Sequence, residues 1–417
     1  MKPGSDFRRI WIGSASSNLA DGITFIAFPL LAAAITKDPL AVAGLSVIYA
    51  LPRILAVLGV GVLVDRADRR RLLYLANFSR AIMFALLTAL IAVDAAPLVV
   101  LYVVYAVMGV LETVSDSSAF AVLPQAVHGS RLDRANSQIA GTQIVVDEFI
   151  GPPLGGLLFG LAIFAPTGLI SLAFLLAGVS FFMLRGNYSQ ATEPNTRPSS
   201  VLSDIKEGAV WTARHGLIRS LIIIGTLANI GYMIPFSYLV LYADDILGLD
   251  ATGYGLLLSF SALGGLLGAW IAEKLKKKFG YGWSIVGALL LGAAAFSVVA
   301  FSRNVVVVAI ALAAYICHSV IWNVLASSVR QKATPHAIMG RVGSMSRLLG
   351  LSGLALGGLL GGTLAKWYGL QLPFLVAGCI FFVASLIGMM ALPQFRSWEK
   401  GQRIKEVTEA GYRESPV

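Results

Sequence analysis

Twelve apolar runs of membrane-spanning length constrain this chain more than any other feature. They lie near residues 10–36, 40–64, 72–93, 98–122, 138–164, 168–184, 218–243, 253–272, 281–301, 304–328, 341–366 and 372–391. At about 1.5 Å of rise per residue, roughly 20 residues cross a hydrocarbon core of about 30 Å. Lipid offers the backbone no hydrogen bonds, so runs of this length and composition must satisfy their own as helices. With 57% hydrophobic and 13% charged residues and a mean hydropathy of +0.78, the chain is too apolar for a water-soluble core. The fold class expected is an all-α polytopic membrane protein with twelve transmembrane helices.

The net charge of +10 does not point to nucleic acid, because the cations form short clusters between apolar runs. With the N-terminus inside, the inner segments carry 26 Lys and Arg, while the outer ones carry only Lys37, Arg303 and Lys366. The positive-inside rule therefore places both termini and the long central loop in the cytoplasm, and the protein in the cell membrane as a multi-pass chain. The basic start, Met1 to Arg9, leads into an apolar stretch too long for a signal-peptide core, so a retained first helix is expected. Cys317 and Cys379 both fall inside apolar runs, which argues against a disulfide framework or a metal site.

Residues 185–219 are polar and divide the chain into an N-terminal six-helix bundle (1–184) and a C-terminal one (220–391), followed by a tail (392–417). Within this linker Val201, Leu202, Ile205, Ala209 and Trp211 share one face of a possible surface helix. The halves repeat one another at an offset of a little over two hundred residues. Leu154-Gly-Gly-Leu-Leu158 recurs as Leu356-Gly-Gly-Leu-Leu360, and Arg134-Ala-Asn-Ser137 as Arg341-Val-Gly-Ser344. Two pseudo-symmetric bundles around a shared cavity follow the logic of a rocking transporter.

The fifth run contains Asp147-Glu148-Phe149-Ile150-Gly151-Pro152-Pro153-Leu154-Gly155-Gly156. Two carboxylates at membrane depth, each costing on the order of 3 kcal/mol when ionised, need a partner, a proton or water. Pro152 and Pro153 donate no helix hydrogen bonds, which predicts a bend. Gly151, Gly155, Gly156 and Gly160 give two overlapping faces for close helix approach. Elsewhere in the first half Asp21, Arg53, Arg80, Glu112 and Asp116 lie within apolar runs, against Arg347 and His318 in the second. Glu112 and Asp116 are four apart, hence on one helix face. The excess of acid predicts that one or more of Asp21, Glu112, Asp147 and Glu148 exchanges a proton, with Arg53, Arg80 and Arg347 as charge partners. The alternative is a static set of salt bridges.

Together these features resemble a major facilitator superfamily transporter over essentially the whole chain. Gly61-x-Leu63-x-Asp65-Arg66-x-x-Arg69-Arg70 resembles that superfamily's signature between the second and third helices, with Asp68 where a glycine is usual. Gly151-Pro152-x-x-Gly155-Gly156 resembles the fifth-helix signature associated with exporters. The stretch from Ala121 through Pro124 to Arg134-Ala-Asn136-Ser137 is similar to the branch containing macrolide-efflux proteins and the enterobactin exporter. The resemblance implies that Asp65 docks near Gly340-Arg341 when the cytoplasmic side closes. The fourth run lacks the arginine that many drug:proton antiporters carry.

The resemblance also places the first, fourth, seventh and tenth helices around the substrate cavity. Its candidate lining is Phe25, Tyr105, Met108, Tyr232, Phe236, Trp322 and Asn323, suited to an amphipathic organic molecule. Asn18 and Asn229 are further candidate polar groups. The function expected is proton-coupled efflux of small amphipathic compounds (drug, siderophore or secondary metabolite) by a monomeric protein without cofactor. An importer or a non-transporting membrane sensor are the alternatives. No P-loop and no nucleophile–base spacing points to an enzyme or an ATP-driven pump.

Overall fold

The computed structural model of the chain describes residues 5–127, 132–186, 188, 201–335 and 338–413. Among its helices, the side chains at 57–59, 61, 62, 65, 66, 133, 148, 201, 202, 204 and 403–413 lie outside that description. The described elements are helical throughout. The first half comprises α1 (Ser5–Ile35), α2 (Pro39–Arg66), α3 (Arg69–Ala92), α4 (Leu98–Ala126), α5 (Leu132–Gln143), a π-helical turn (Ile144–Ile150), α6 (Gly151–Leu161) and α7 (Ala165–Phe182). The linker forms α8 (Val201–Arg214). The second half comprises α9 (Gly216–Phe236), α10 (Leu239–Asp245), α11 (Ala251–Phe301), α12 (Val305–Ala333), α13 (Met339–Tyr368), α14 (Leu372–Met390) and the tail helix α15 (Leu392–Arg413).

Among the described residues, eleven helical stretches are long and apolar enough to cross a membrane. One of them, the 51-residue α11, is broken at Gly280, whose φ of 76° and ψ of 176° suit only a residue without Cβ. It is long enough for two crossings, so the described residues offer the twelve expected from the apolar runs.

Local sequence explains most boundaries. Asp38 caps α2 by accepting the Leu40 N–H at 3.0 Å, with Pro39 preorganising the first turn. Asp68 caps α3 by accepting the Arg70 N–H at 2.9 Å, which gives a physical role to the aspartate standing where a glycine is usual. Pro235 sits in the last turn of α9, and the run read as one segment over 218–243 is divided there into α9 and α10. The single fifth run is also divided. The Gly151 N–H reaches back five residues to the Val146 carbonyl, and this wide turn delivers Pro152 and Pro153 to the first turn of α6, where missing donors cost least.

Contacts group the chain into two compact units. One holds residues 1–198, 233–262 and 354–370; the other holds 199–232, 263–353 and 371–417. In the first, α1 packs on α4, α6 and α7, α2 on α4, and α3 on α4 and α7. Its interior is aromatic: Phe28 stacks on Tyr105 at 4.5 Å, and Phe84 meets both Phe28 and Phe174. In the second, Phe296 stacks on Tyr315 at 4.2 Å beside Phe374 and Phe381. There α8 lies against the start of α13, with Gly208 on the Arg341 backbone and Glu207 paired with Arg341. Large apolar side chains such as Leu55, Phe120 and Leu161 remain exposed, as expected for faces solvated by lipid.

Candidate functional site

The first four helices converge two acid–base pairs in the interior of the first unit. Tyr49 and Arg53 lie four apart on α2 and share a face. Gly109 of α4 lets the two helices approach so closely that a Cβ there would sit 2.9 Å from the Tyr49 carbonyl and 3.0 Å from the Arg53 side chain. Three residues on, Glu112 pairs with Arg53 at 3.2 Å. The Tyr49 hydroxyl bridges them, accepting from Arg53 and donating to Glu112. The second pair joins α1 to α3. Arg80, wholly buried, lies 3.4 Å from Asp21. Its guanidinium also donates to Asn77 at 2.9 Å and Ser17 at 3.2 Å, and stacks over Phe174 at 4.2 Å. Asn77 in turn donates to Ser115 of α4 at 3.1 Å. The polar chain therefore runs from α1 through α3 to α4.

Asp147 lies in the π-helical turn, where its backbone closes on Gly22, next to Asp21 on α1. A Cβ on Gly151 would stand 2.7 Å from the Gly22 backbone. The glycines of this region use two faces. Gly151 and Gly155 meet Gly22, Ile23 and Ile26 of α1, while Gly156 and Gly160 meet Ala251, Thr252 and Gly255 of α11.

Several expected site residues fall elsewhere. The side chains of Glu148, Gly61, Asp65 and Arg66 lie outside the described residues, and so does the expected docking of Asp65. Arg69 is buried and reaches the Ala121 carbonyl at 3.4 Å, while Arg70 donates to the Phe182 carbonyl at 2.6 Å. Arg347 is exposed on α13. Of the candidate cavity residues, Tyr105 is enclosed between Phe28 and Tyr49, and Met108 is buried. Phe25 is exposed, and Tyr232 faces Tyr315 with nearly parallel rings 6.2 Å apart. Phe236 closes the last turn of α9. Trp322 and Asn323 line a small cavity of the second unit.

Sequence reasoning missed Tyr49, Ser17, Asn77, Ser115 and Gly22. The i, i+4 spacing of Tyr49 and Arg53 and the Asp21-Gly22 step were the available signals. It also missed a latch in the first unit, at the end expected to face outside. Lys37, between α1 and α2, pairs with Asp244 of α10, and the α2 cap Asp38 pairs with Lys366 of α13 at 2.7 Å. Below it, Gly358 and Gly362 of α13 pack on Ser46, Ala43 and Leu40 of α2.

Its hydrogen bond to Asp244 raises the Lys37 pKa, and the Lys366 hydrogen bond lowers that of Asp38. A depressed carboxylate stabilises above its unfolded pKa and stops doing so as pH falls through its folded one. A raised amine stabilises below its unfolded pKa and fails as pH rises through its folded one. The latch therefore holds across neutral pH and weakens at both acidic and strongly basic extremes. Both pairs are well exposed, so each is worth under about 1 kcal/mol and is weakened by salt. Lys37→Gln with Lys366→Gln should barely move the unfolding midpoint at neutral pH in high salt, and lower it slightly in low salt. Unfolding curves at two ionic strengths check this.

Twelve crossings in two sequence-related halves, with acid–base pairs held between the helices of one of them, define a secondary transporter of the major facilitator class. A family model described as transmembrane secretion effector matches residues 4–409, and the chain belongs to that family, which contains the enterobactin exporter and macrolide-efflux proteins. It is therefore a multi-pass membrane transporter and not an enzyme. The multidrug efflux pump Tap of Mycolicibacterium fortuitum is 25% identical over 391 residues, covering 89% of this chain and 93% of Tap. YfiS of Bacillus subtilis, described as an uncharacterized transporter of the same superfamily, is 24% identical over 388 residues, 90% of each chain. A crystal structure of the nucleoside transporter NupG superposes with a TM-score of 0.75 at 11% identity, covering 93% of this chain and 99% of NupG. At that identity the likeness shows the fold alone.

Proposed function

We propose that the chain exports small amphipathic organic compounds across the cell membrane by alternating access, exchanging them for protons, as a monomer with both termini in the cytoplasm. The observation that carries this reading is the pair of buried ion pairs, Asp21–Arg80 and Glu112–Arg53, on the first four helices. A proton on Glu112 removes the charge that holds Arg53, and a proton on Asp21 does the same for Arg80. Either event loosens a tie between two helices, and differential protonation of two conformations is what couples a gradient to a movement. Asp147 and Glu148, beside the α1 contact, are the further proton-exchange candidates. The glycine-lined turn Gly151-Pro152 is where α5 and α6 would flex against α1. Asp65, Arg66, Arg69 and Arg70 form the gating loop of this reading, with Arg347 a charge partner on α13. The direction of transport and the amphipathic substrate are supported by the likeness to Tap, a multidrug efflux pump, and by the Gly151-Pro152 pattern.

The test is transport in inverted membrane vesicles with a macrolide, ethidium and a catecholate siderophore as probes. Proton-driven accumulation of at least one probe is expected, and it should be largely lost in Asp21→Asn and Glu112→Gln, because neither replacement can bind and release a proton. Accumulation that survives both substitutions and an uncoupler would overturn the proton reading, and flux in the opposite direction would make the protein an importer.

A further inference from the structure

Arg53 and Arg80 of the first unit each face a carboxylate, whereas Arg330 of the second faces none among the described residues. It lies in the last turn of α12, three residues before its end and just past the apolar run over 304–328, and its only described partner is the Ser346 hydroxyl of α13 at 3.0 Å. A half-buried guanidinium with no carboxylate among the described residues is a natural contact for an anion. Beside it is a cavity of about 110 Å³ between α9, α12 and α13, and its polar wall is Thr226, Asn229, Asn323, Ser327, Arg330 and Ser346. Asn323 and Ser327 have no side-chain hydrogen-bond partner among the described residues. The Trp322 indole supplies an apolar, aromatic wall. The space suits a small oxyanion head and not a whole drug-sized molecule.

We infer that this cavity binds the carboxylate or phosphate group of an amphipathic organic anion, with Arg330 as the charged contact, Ser327, Ser346 and Asn323 as hydrogen-bonding groups, and Trp322 against the apolar part. The inference rests on the transport reading above and narrows its substrates to compounds bearing an oxyanion. A guanidinium presents paired N–H donors that match either group. A lipid phosphate offers the same chemistry, so the test must separate the two sources.

The experiment uses the full chain in nanodiscs of zwitterionic lipid and two labelled probes of one shape, naphthalene-2-carboxylate and naphthalene-2-carboxamide. The carboxylate is expected to bind about tenfold more tightly than the amide, a difference of about 1.4 kcal/mol. Arg330→Gln should erase that preference and Arg330→Lys should keep part of it. Ser327→Leu, which fills the cavity and spares the charge, should weaken carboxylate binding. Equal binding of the two probes, no carboxylate binding at millimolar concentration, or a preference that survives Arg330→Gln would overturn the inference. Adding phosphatidylglycerol to the discs distinguishes the sources. Displacement of the carboxylate through Arg330 assigns the site to a lipid head, and undiminished binding assigns it to a free organic anion. Arg330-dependent binding without vesicle transport would sink the transport reading alone, while transport without such binding would sink only the anion site.

Discussion

Arg80→Met is expected to be the most damaging single substitution in the molecule, lowering stability by about 3–5 kcal/mol, because it leaves the Asp21 carboxylate half-buried and without its cation. Arg80 is fully buried and holds Asp21, Ser17 and Asn77 together across two helices. Removing both charges is a different perturbation. The Asp21→Asn/Arg80→Met double variant should recover much of the loss, since an uncharged pair carries no desolvation debt. A double-mutant cycle on unfolding in a mixed-detergent series reads the coupling directly, and strictly additive effects would mean that the two side chains do not act as a pair. Transport should behave otherwise. If Asp21 carries a proton in the cycle, the double variant will be stable and inactive.

The second large effect concerns the contact of α1 with the π-helical turn. Gly22→Val puts a branched side chain where even a Cβ would overlap the Asp147 backbone. The cost expected is about 1–3 kcal/mol, more if the helices cannot separate, together with loss of transport. Gly151→Val meets the Gly22 backbone from the other side and should behave alike. Gly168→Ala is the contrast, because its Cβ would find only a Thr88 methyl at an ordinary 3.7 Å. In a helix interior that change should be neutral or stabilising by up to about 1 kcal/mol. Expression, thermal unfolding and vesicle transport of the three variants separate a packing defect from a general intolerance of substitution.

The spans were legible because hydrocarbon imposes one length and one polarity on every crossing. The two glycine faces of the fifth span could also be read, since residues four apart on a helix share a face whatever the partner. What they touch, Gly22 on one side and Gly255 on the other, could not be read, because each is an ordinary glycine in an apolar run. Charge pairing was half visible. Asp21, Arg53, Arg80 and Glu112 all fall within apolar runs, but that does not say which helices are neighbours. The partition into Arg53–Glu112 and Arg80–Asp21 follows from packing of α2 on α4 and of both α1 and α3 on α4 and α7. Tyr105 and Met108 illustrate the converse problem. Helices apolar on all sides give no moment from which to tell a cavity face from a packed one, and both residues are enclosed within the first unit. In sequence Arg330 is one more topogenic cation; only the structure sets it beside a polar cavity with no carboxylate partner among the described residues.

The half-buried carboxylates Asp21 and Glu112 are expected to change protonation while substrate moves. Proteoliposomes containing a trapped pH indicator test it without an imposed gradient. Addition of a probe transported in the vesicle assay should drive protons in the direction opposite to that probe, and the signal should vanish in Asp21→Asn or Glu112→Gln while the protein remains folded. Transport of the same probe with no proton movement, in wild type and in both variants, would contradict it.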